Sequence, residues 1–228
     1  MPPTRKPVFC YVTDRRAFER ADSPSAESLK SSISAVREAI RNAAAAGAAW
    51  IQIREKDLEG HQLIQLVRRA VEDTRETGAR ILVNDRLDVA LAAEAAGIHL
   101  GEKSLPLETV SEWRRSSGRT DFQIGVSCHS LEAARAAERG GANYIFFGPV
   151  FATPSKAAFG PPQGMERLRE LCAAVEIPVL AIGGINFENA RACIDAGAAG
   201  VAAIRLFQDV ADAAELGARV RDIWMDSV

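Results

Sequence analysis

Along most of the chain, short apolar runs alternate with longer segments dominated by Ala, Arg and Glu. Eight runs stand out, at 8–12, 50–53, 80–83, 97–100, 123–126, 144–147, 178–182 and 200–204. Each has strand length and is nearly continuous in apolar residues, the pattern of a strand covered on both faces. The segments between them repeat at helical spacing and predict helices over 28–46, 60–77, 86–96, 130–140, 164–174 and 187–196. Residues 105–116 and 209–224 carry weaker helical patterns. Gly47, Gly97, the Gly140–Gly141 pair and Gly197 each close an Ala-rich segment before a strand, as a left-handed C-cap does. Asp57, Asp85 and Ser130 stand near helix starts, where a short polar side chain caps free N–H groups.

Eight strand–helix alternations with no linker or break in composition predict an α/β fold, a single (β/α)8 TIM barrel spanning 1–228. A doubly wound open sheet is the rival, but the Gly-rich turn of a dinucleotide fold does not follow Val12. Residues 1–7 read as a tail. Residues 14–27 (DRRAFERADSPSAE) read as a long first loop, with a composition that suits either a lid or a plain surface loop.

Composition narrows the function. The chain has 228 residues, 25% of them charged, and a net charge of −2. That length buries a full core, and that balance lacks the basic excess of a nucleic-acid binder. Four cysteines, Cys10, Cys128, Cys172 and Cys193, show no C-x-x-C spacing, which argues against a disulfide framework and suits a reducing compartment. The first residues lack a signal-peptide core, and no run approaches the ~20 apolar residues of a membrane span. The reading is a cytoplasmic protein without a membrane partner, with homo-oligomer formation left open.

In such a barrel, functional residues gather at the C-terminal ends of the strands. The second strand leads into Gln52, Arg54 and Lys56, which alternation sets on one side: two cations and an amide, suited to an anion. The third ends in Asn84 and Asp85. Asp85 reads as a helix cap or as a carboxylate meeting Mg²⁺ and a phosphorylated substrate. The fifth ends in Ser127–Cys128–His129. Neighbours in sequence point apart, so a Cys–His nucleophile is disfavoured, while His129 as acid/base and Ser127 as ligand donor remain open. His61 reads as an ordinary surface residue on a helix.

The sixth strand runs into GPVFATPSKAAFGPPQG, where turn residues would fold Thr153, Ser155 and Lys156 toward a phosphate. The seventh and eighth end in Gly183–Gly184 and Ile204–Arg205, where this fold commonly cradles phosphate. Two anion sites at one mouth point to an enzyme that handles two phosphorylated small molecules.

The ordered set IQIREKD, VNDRLDVALAAEAAGIHLG, IGVSCHSLEAA, GANYIFFGPVFATPSK and IPVLAIGGINFENA resembles the thiamine phosphate synthase/TenI superfamily, from Val8 to about Phe207. The resemblance implies coupling of a hydroxymethylpyrimidine pyrophosphate to a thiazole phosphate, with release of pyrophosphate. It implies that Gln52, Arg54 and Lys56 hold the pyrimidine pyrophosphate, that Asn84 and Asp85 bind pyrophosphate and Mg²⁺, and that Ser127 lies by the pyrimidine. Thr153, Ser155 and Lys156 match a Thr-x-Thr-Lys loop, with Lys56 and Lys156 neutralising the leaving group. Gly184 and the turn at Ile204 hold the thiazole phosphate.

Two positions depart from the pattern. Ser104 stands where a second Mg²⁺ carboxylate is expected, with Glu102 nearby, and Arg205 replaces a small residue. The TenI branch offers an alternative, a thiazole tautomerase that shifts a proton without Mg²⁺ and uses the histidine matched by His129. A third reading is a non-catalytic barrel that binds thiazole or thiamine phosphates.

Overall fold

The computed structural model describes residues 6–19, 25–153 and 161–225. Strands β1 (Val8–Val12), β2 (Trp50–Ile53), β3 (Arg80–Asn84), β4 (Gly97–Leu100), β5 (Gln123–Cys128), β6 (Tyr144–Phe147), β7 (Val179–Ile182) and β8 (Gly200–Ala203) each pair in parallel with the next. β8 returns to β1 through Val8–Gly200 to Tyr11–Ala203, which closes the barrel. The helices are α1 (Ala26–Ala45), α2 (Gly60–Thr74), α3 (Leu87–Ala92), α4 (Leu107–Ser116), α5 (Leu131–Arg139), α6 (Gly164–Ala174), α7 (Ala190–Asp195), α8 (Arg205–Gln208) and α9 (Ala213–Met225). The predicted (β/α)8 barrel is therefore the observed fold. Among the described residues, no helix is long and apolar enough to cross a membrane.

Alternation along the strands divides the core in two. Cys10, Val12, Leu82, Tyr144, Phe146, Leu180 and Ala202 pack together inside the barrel. Their sequence neighbours, such as Phe9, Tyr11, Ile81, Ile145 and Phe147, pack outward against the helices. Each strand thus buries both faces, which is why the apolar runs are nearly unbroken. The helices supply one apolar stripe each: α1 buries Val36, Ile40, Ala43 and Ala44.

Local chemistry corrects three sequence expectations. Gly47, Gly141 and Gly197 do take positive φ, but Gly97 lies within β4, where a Cβ would sit 2.2 Å from the Gln123 carbonyl oxygen. It is a close-approach glycine, and Glu94 carries the positive φ instead. Ser130 caps α5 by accepting from the Ala133 N–H. Asp57 does not cap α2; it pairs with Arg15 and Arg16, and a reciprocal Glu59–Gln62 box closes that helix. Asp85 does not cap α3 either, whose N-cap is Arg86. Within the 14–27 segment, Arg15–Phe18 form a 3₁₀ turn and α1 begins at Ala26, capped by Ser25, while residues 20–24 lie outside the described residues.

Candidate active site

The C-terminal ends of the strands surround a cavity of about 450 Å³, within the usual range for small-molecule sites. Its apolar floor includes Val12, Phe146, Ile182 and Ala202. Polar groups converge from several strands: Gln52 in β2 and Arg54 after it, Asn84 from β3, His99 from β4, Ser127 and His129 around the end of β5, and Thr153 after β6. Gly183 and Gly184 after β7, and Ile204 and Arg205 after β8, complete the wall.

The β2 side is held from behind. Gln52 is buried, and its amide donates to Asn84 Oδ1 at 3.2 Å. The Arg54 N–H donates to Thr13 Oγ1 at 3.0 Å, and the Thr13 hydroxyl donates to the buried Glu55 carboxylate. Glu55 also accepts from the Arg15 N–H at 3.1 Å. Burial raises the Glu55 carboxyl above its ordinary range, opposed by the Thr13 hydroxyl and the Arg15 N–H. The buried Arg15 guanidinium is paired with Glu19 and Asp57. Thus the first βα segment and the Arg54 backbone share one buried carboxylate.

From β4, His99 is 2% exposed and bridges two hydroxyls, Ser127 at 2.9 Å and Tyr144 at 3.2 Å. Burial drives the His99 imidazole down to about 3, with the Arg54 charge adding to the effect, so the ring is neutral. His129 Nδ1 donates to the Gly148 carbonyl, and Nε2 lies 3.7 Å from Glu102 Oε1. Cys128, beside it in sequence, points away into the outer core, and burial raises its thiol to about 12. It holds no thiolate at neutral pH, so the disfavoured Cys–His nucleophile has no support.

The β6 and β7 loops lock together. Val150 and Phe151 donate to the Ile182 and Gly183 carbonyls at 2.9 and 3.0 Å. Gly183 and Gly184 both take positive φ, and a Cβ on Gly184 would lie 2.7 Å from Phe151 Cβ. The pair is therefore required by backbone contact, not merely by a turn.

Nine expected residues come together around the cavity: Gln52, Arg54, Asn84, Ser127, His129, Thr153, Gly184, Ile204 and Arg205. Three other described ones do not line it. Lys56 is exposed, because β2 ends at Ile53 and a turn begins at Lys56, so strand alternation no longer sets its direction. Asp85 is exposed next to Asn84, in a left-handed conformation (φ 66°). The Ser104 hydroxyl accepts from the Gly101 N–H at 2.7 Å. Ser155 and Lys156 lie outside the described residues. The sequence reading gave no role to His99, which strand alternation alone would have aimed inward, nor to Asp14 and Ala17, which line the cavity from the first βα segment. Among the described residues, no cluster of three His, Cys, Asp or Glu side chains could hold a metal unaided.

A family model described as thiamine monophosphate synthase matches residues 26–207. The thiamine-phosphate synthase of Moorella thermoacetica is 45% identical over 186 residues, covering 82% of this chain and 87% of that protein. That of Roseiflexus castenholzii is 40% identical over 202 residues, covering 89% and 81%. The solved structure of a thiamine phosphate pyrophosphorylase from Pyrococcus furiosus superposes with a TM-score of 0.78 at 34% identity, covering 98% of both chains. Fold, cavity and relatives agree, and the chain belongs to the thiamine monophosphate synthase (TMP-TENI) family.

Proposed function

We propose that this protein is a thiamine-phosphate synthase that joins a hydroxymethylpyrimidine pyrophosphate to a thiazole phosphate and releases pyrophosphate. The observation that carries the reading is one cavity lined at once by Gln52, Arg54 and Asn84 and, from β7 and β8, by Gly183, Gly184 and Arg205. Two groups suited to anions border a single apolar floor, as joining two phosphorylated molecules requires.

In this reading the methylene carbon–oxygen bond to pyrophosphate breaks, and a carbon–nitrogen bond to the thiazole forms. No protein nucleophile is needed. The chain's work is positioning and charge stabilisation. Arg54 holds the departing pyrophosphate, with Lys56 from the following turn and Lys156 from the β6 loop. Gln52 holds the pyrimidine pyrophosphate with Arg54, Asn84, hydrogen-bonded to Gln52, binds the pyrophosphate beside Asp85, and Ser127 lies beside the ring. Thr153 and Ser155 contact phosphate from the β6 loop. Gly184, Ile204 and Arg205 take the thiazole phosphate. The apolar floor keeps water from the electron-poor methylene carbon.

The donors fit a magnesium ion. Asp85 offers one exposed carboxylate beside the cavity-lining Asn84, and Mg²⁺ commonly takes one or two carboxylates with phosphate oxygens for the rest. Asp85 would hold it, and the ion when bound would neutralise the leaving pyrophosphate. Ser104 is engaged with Gly101, and Glu102 leans toward His129.

The test is pyrophosphate release from purified protein given both substrates, with Mg²⁺ or with EDTA. Release that needs both substrates and the ion is expected. A second reading, the thiazole tautomerase, draws on the His129 ring at the cavity wall and on Ser104 in place of a carboxylate. It predicts proton exchange on a thiazole carboxylate phosphate that survives EDTA, with no pyrophosphate released.

A further inference from the structure

The hydrogen bonds behind Ser127 form a chain of three residues that can be counted proton by proton. Tyr144, on β6, is fully buried. Its ring packs on Trp50 at 4.6 Å and occupies the space left by Gly125, where a Cβ would lie 1.9 Å from the Tyr144 ring. The tyrosine therefore cannot swing away. Among the described residues its hydroxyl has one hydrogen-bond partner, His99 Nδ1. His99 is held in turn against Phe146 at 4.2 Å, and its Nε2 meets Ser127 Oγ.

A neutral imidazole carries one proton. If Nδ1 carried it, the ring would donate to the Tyr144 oxygen, and the tyrosine's own proton would be buried with no acceptor among the described residues. That arrangement is disfavoured by about 5- to 150-fold. In the other tautomer Tyr144 donates to Nδ1, and Nε2–H donates to Ser127 Oγ. Every proton is then placed except that of Ser127, which lines the cavity. A doubly protonated ring also carries Nδ1–H, so it would strand the Tyr144 proton in the same way and bury a charge besides.

We propose that Tyr144 and His99 are positioning residues that make the Ser127 hydroxyl an acceptor from behind and a donor in front. At this point the site then selects a ligand bearing a hydrogen-bond acceptor, of the class of an aromatic ring nitrogen, over one bearing an N–H or C–H. Naming the ligand as a pyrimidine rests on the proposed function; the direction of the proton chain does not.

The first test needs no substrate. A long-range ¹H–¹⁵N spectrum of protein labelled at its three histidines reads each tautomer directly. His61→Gln and His129→Gln, both away from the buried core, identify the His99 signals by exclusion. The expected result is a neutral Nε2–H ring, unchanged between about pH 5.5 and 8. An Nδ1–H ring, or one that titrates in that range, would overturn the proposal whatever the protein catalyses.

The second test is ligand selection. The wild type should bind the pyrimidine pyrophosphate about tenfold more tightly than one of its two single C–H-for-ring-nitrogen analogues, and Ser127→Ala should bring that ratio near one. Equal ratios in wild type and variant would overturn the selection. A protein that binds no pyrimidine at all, yet shows the Nε2–H ring, would count against the proposed function and not against the chain.

Discussion

Two glycines with nearly the same backbone angle allow the β6–β7 lock to be measured. Gly184 has φ +69° and Gly118 has φ +68°. At Gly118 a Cβ would meet nothing within 4 Å. At Gly184 it would lie 2.7 Å from Phe151 Cβ, 2.8 Å from the Ala152 carbonyl oxygen and 3.0 Å from the Phe151 carbonyl carbon. None of these is the tip of a flexible side chain, so the β6 loop itself must shift. Both alanine variants pay about 1–2 kcal/mol for the left-handed conformation, partly offset by about 0.4–1 kcal/mol from a stiffer unfolded chain. Gly184→Ala adds the cost of overpacking, about 1–3 kcal/mol. The difference between the two variants, about 2 kcal/mol, isolates contact from conformation and corresponds to roughly 4–8 °C in Tm at this chain length.

Urea unfolding of the two variants and the wild type reads this difference. Costs that agree within about 0.5 kcal/mol would refute the claim that Gly184 is required by contact. The displaced loop carries Thr153 into the cavity wall, so the binding site should respond as well. Calorimetric affinity for the thiazole phosphate should fall at least about tenfold in Gly184→Ala and stay unchanged in Gly118→Ala. A destabilised Gly184 variant with full affinity would separate the loop lock from the phosphate site and remove the second role.

Glu55→Gln tests the buried carboxylate. The folded Glu55 holds its proton more tightly than an ordinary glutamate at 4.5, so its contribution to stability, relative to the variant, is fullest below that value and is lost as pH rises through the raised folded value. Urea midpoints of both proteins across this range check the sign, and an advantage that grows with pH would refute it. Asp85→Asn should cut coupling on the order of a hundredfold, since a metal contributes several kcal/mol to leaving-group stabilisation; steady-state pyrophosphate release within a few-fold of wild type would reject Asp85 as the ligand. Ser104→Asp should lower the Mg²⁺ concentration giving half-maximal release, and an unchanged requirement would mean that this position does not face the ion.

The barrel was legible because its physics is written locally. Strands buried on both faces read as unbroken apolar runs, and the expected bounds fall within two residues of those observed. β5 is the widest miss: it continues to Cys128 because Ser127 and Cys128 still pair with Phe146 and Phe147. What was illegible depends on partners distant in sequence. Gly97 looks like a cap until Gln123 is beside it. Asp57 and Asp85 look like caps because a short carboxylate near a helix start has the same sequence signature whether it binds N–H groups, pairs with arginines as Asp57 does, or stands exposed as Asp85 does. Lys56 was aimed by a rule that stops where the strand stops.

The candidate site was legible in polar and glycine positions in or just after the last two residues of a strand: Gln52 in β2, Arg54 after it, Ser127 in β5 and Gly184 after β7. His99 holds the equivalent place in β4, one residue before its end, and the sequence assigned it no role. The structure makes it a core histidine: 2% exposed, uncharged and fully bonded. Burial and a role at the cavity are not alternatives here, because the fixed geometry that makes the ring a good core residue also fixes which atom of Ser127 faces the ligand. In a barrel whose inner layer is the floor of its own pocket, the last inward-facing residue of every strand belongs to the site as much as the loop that follows it.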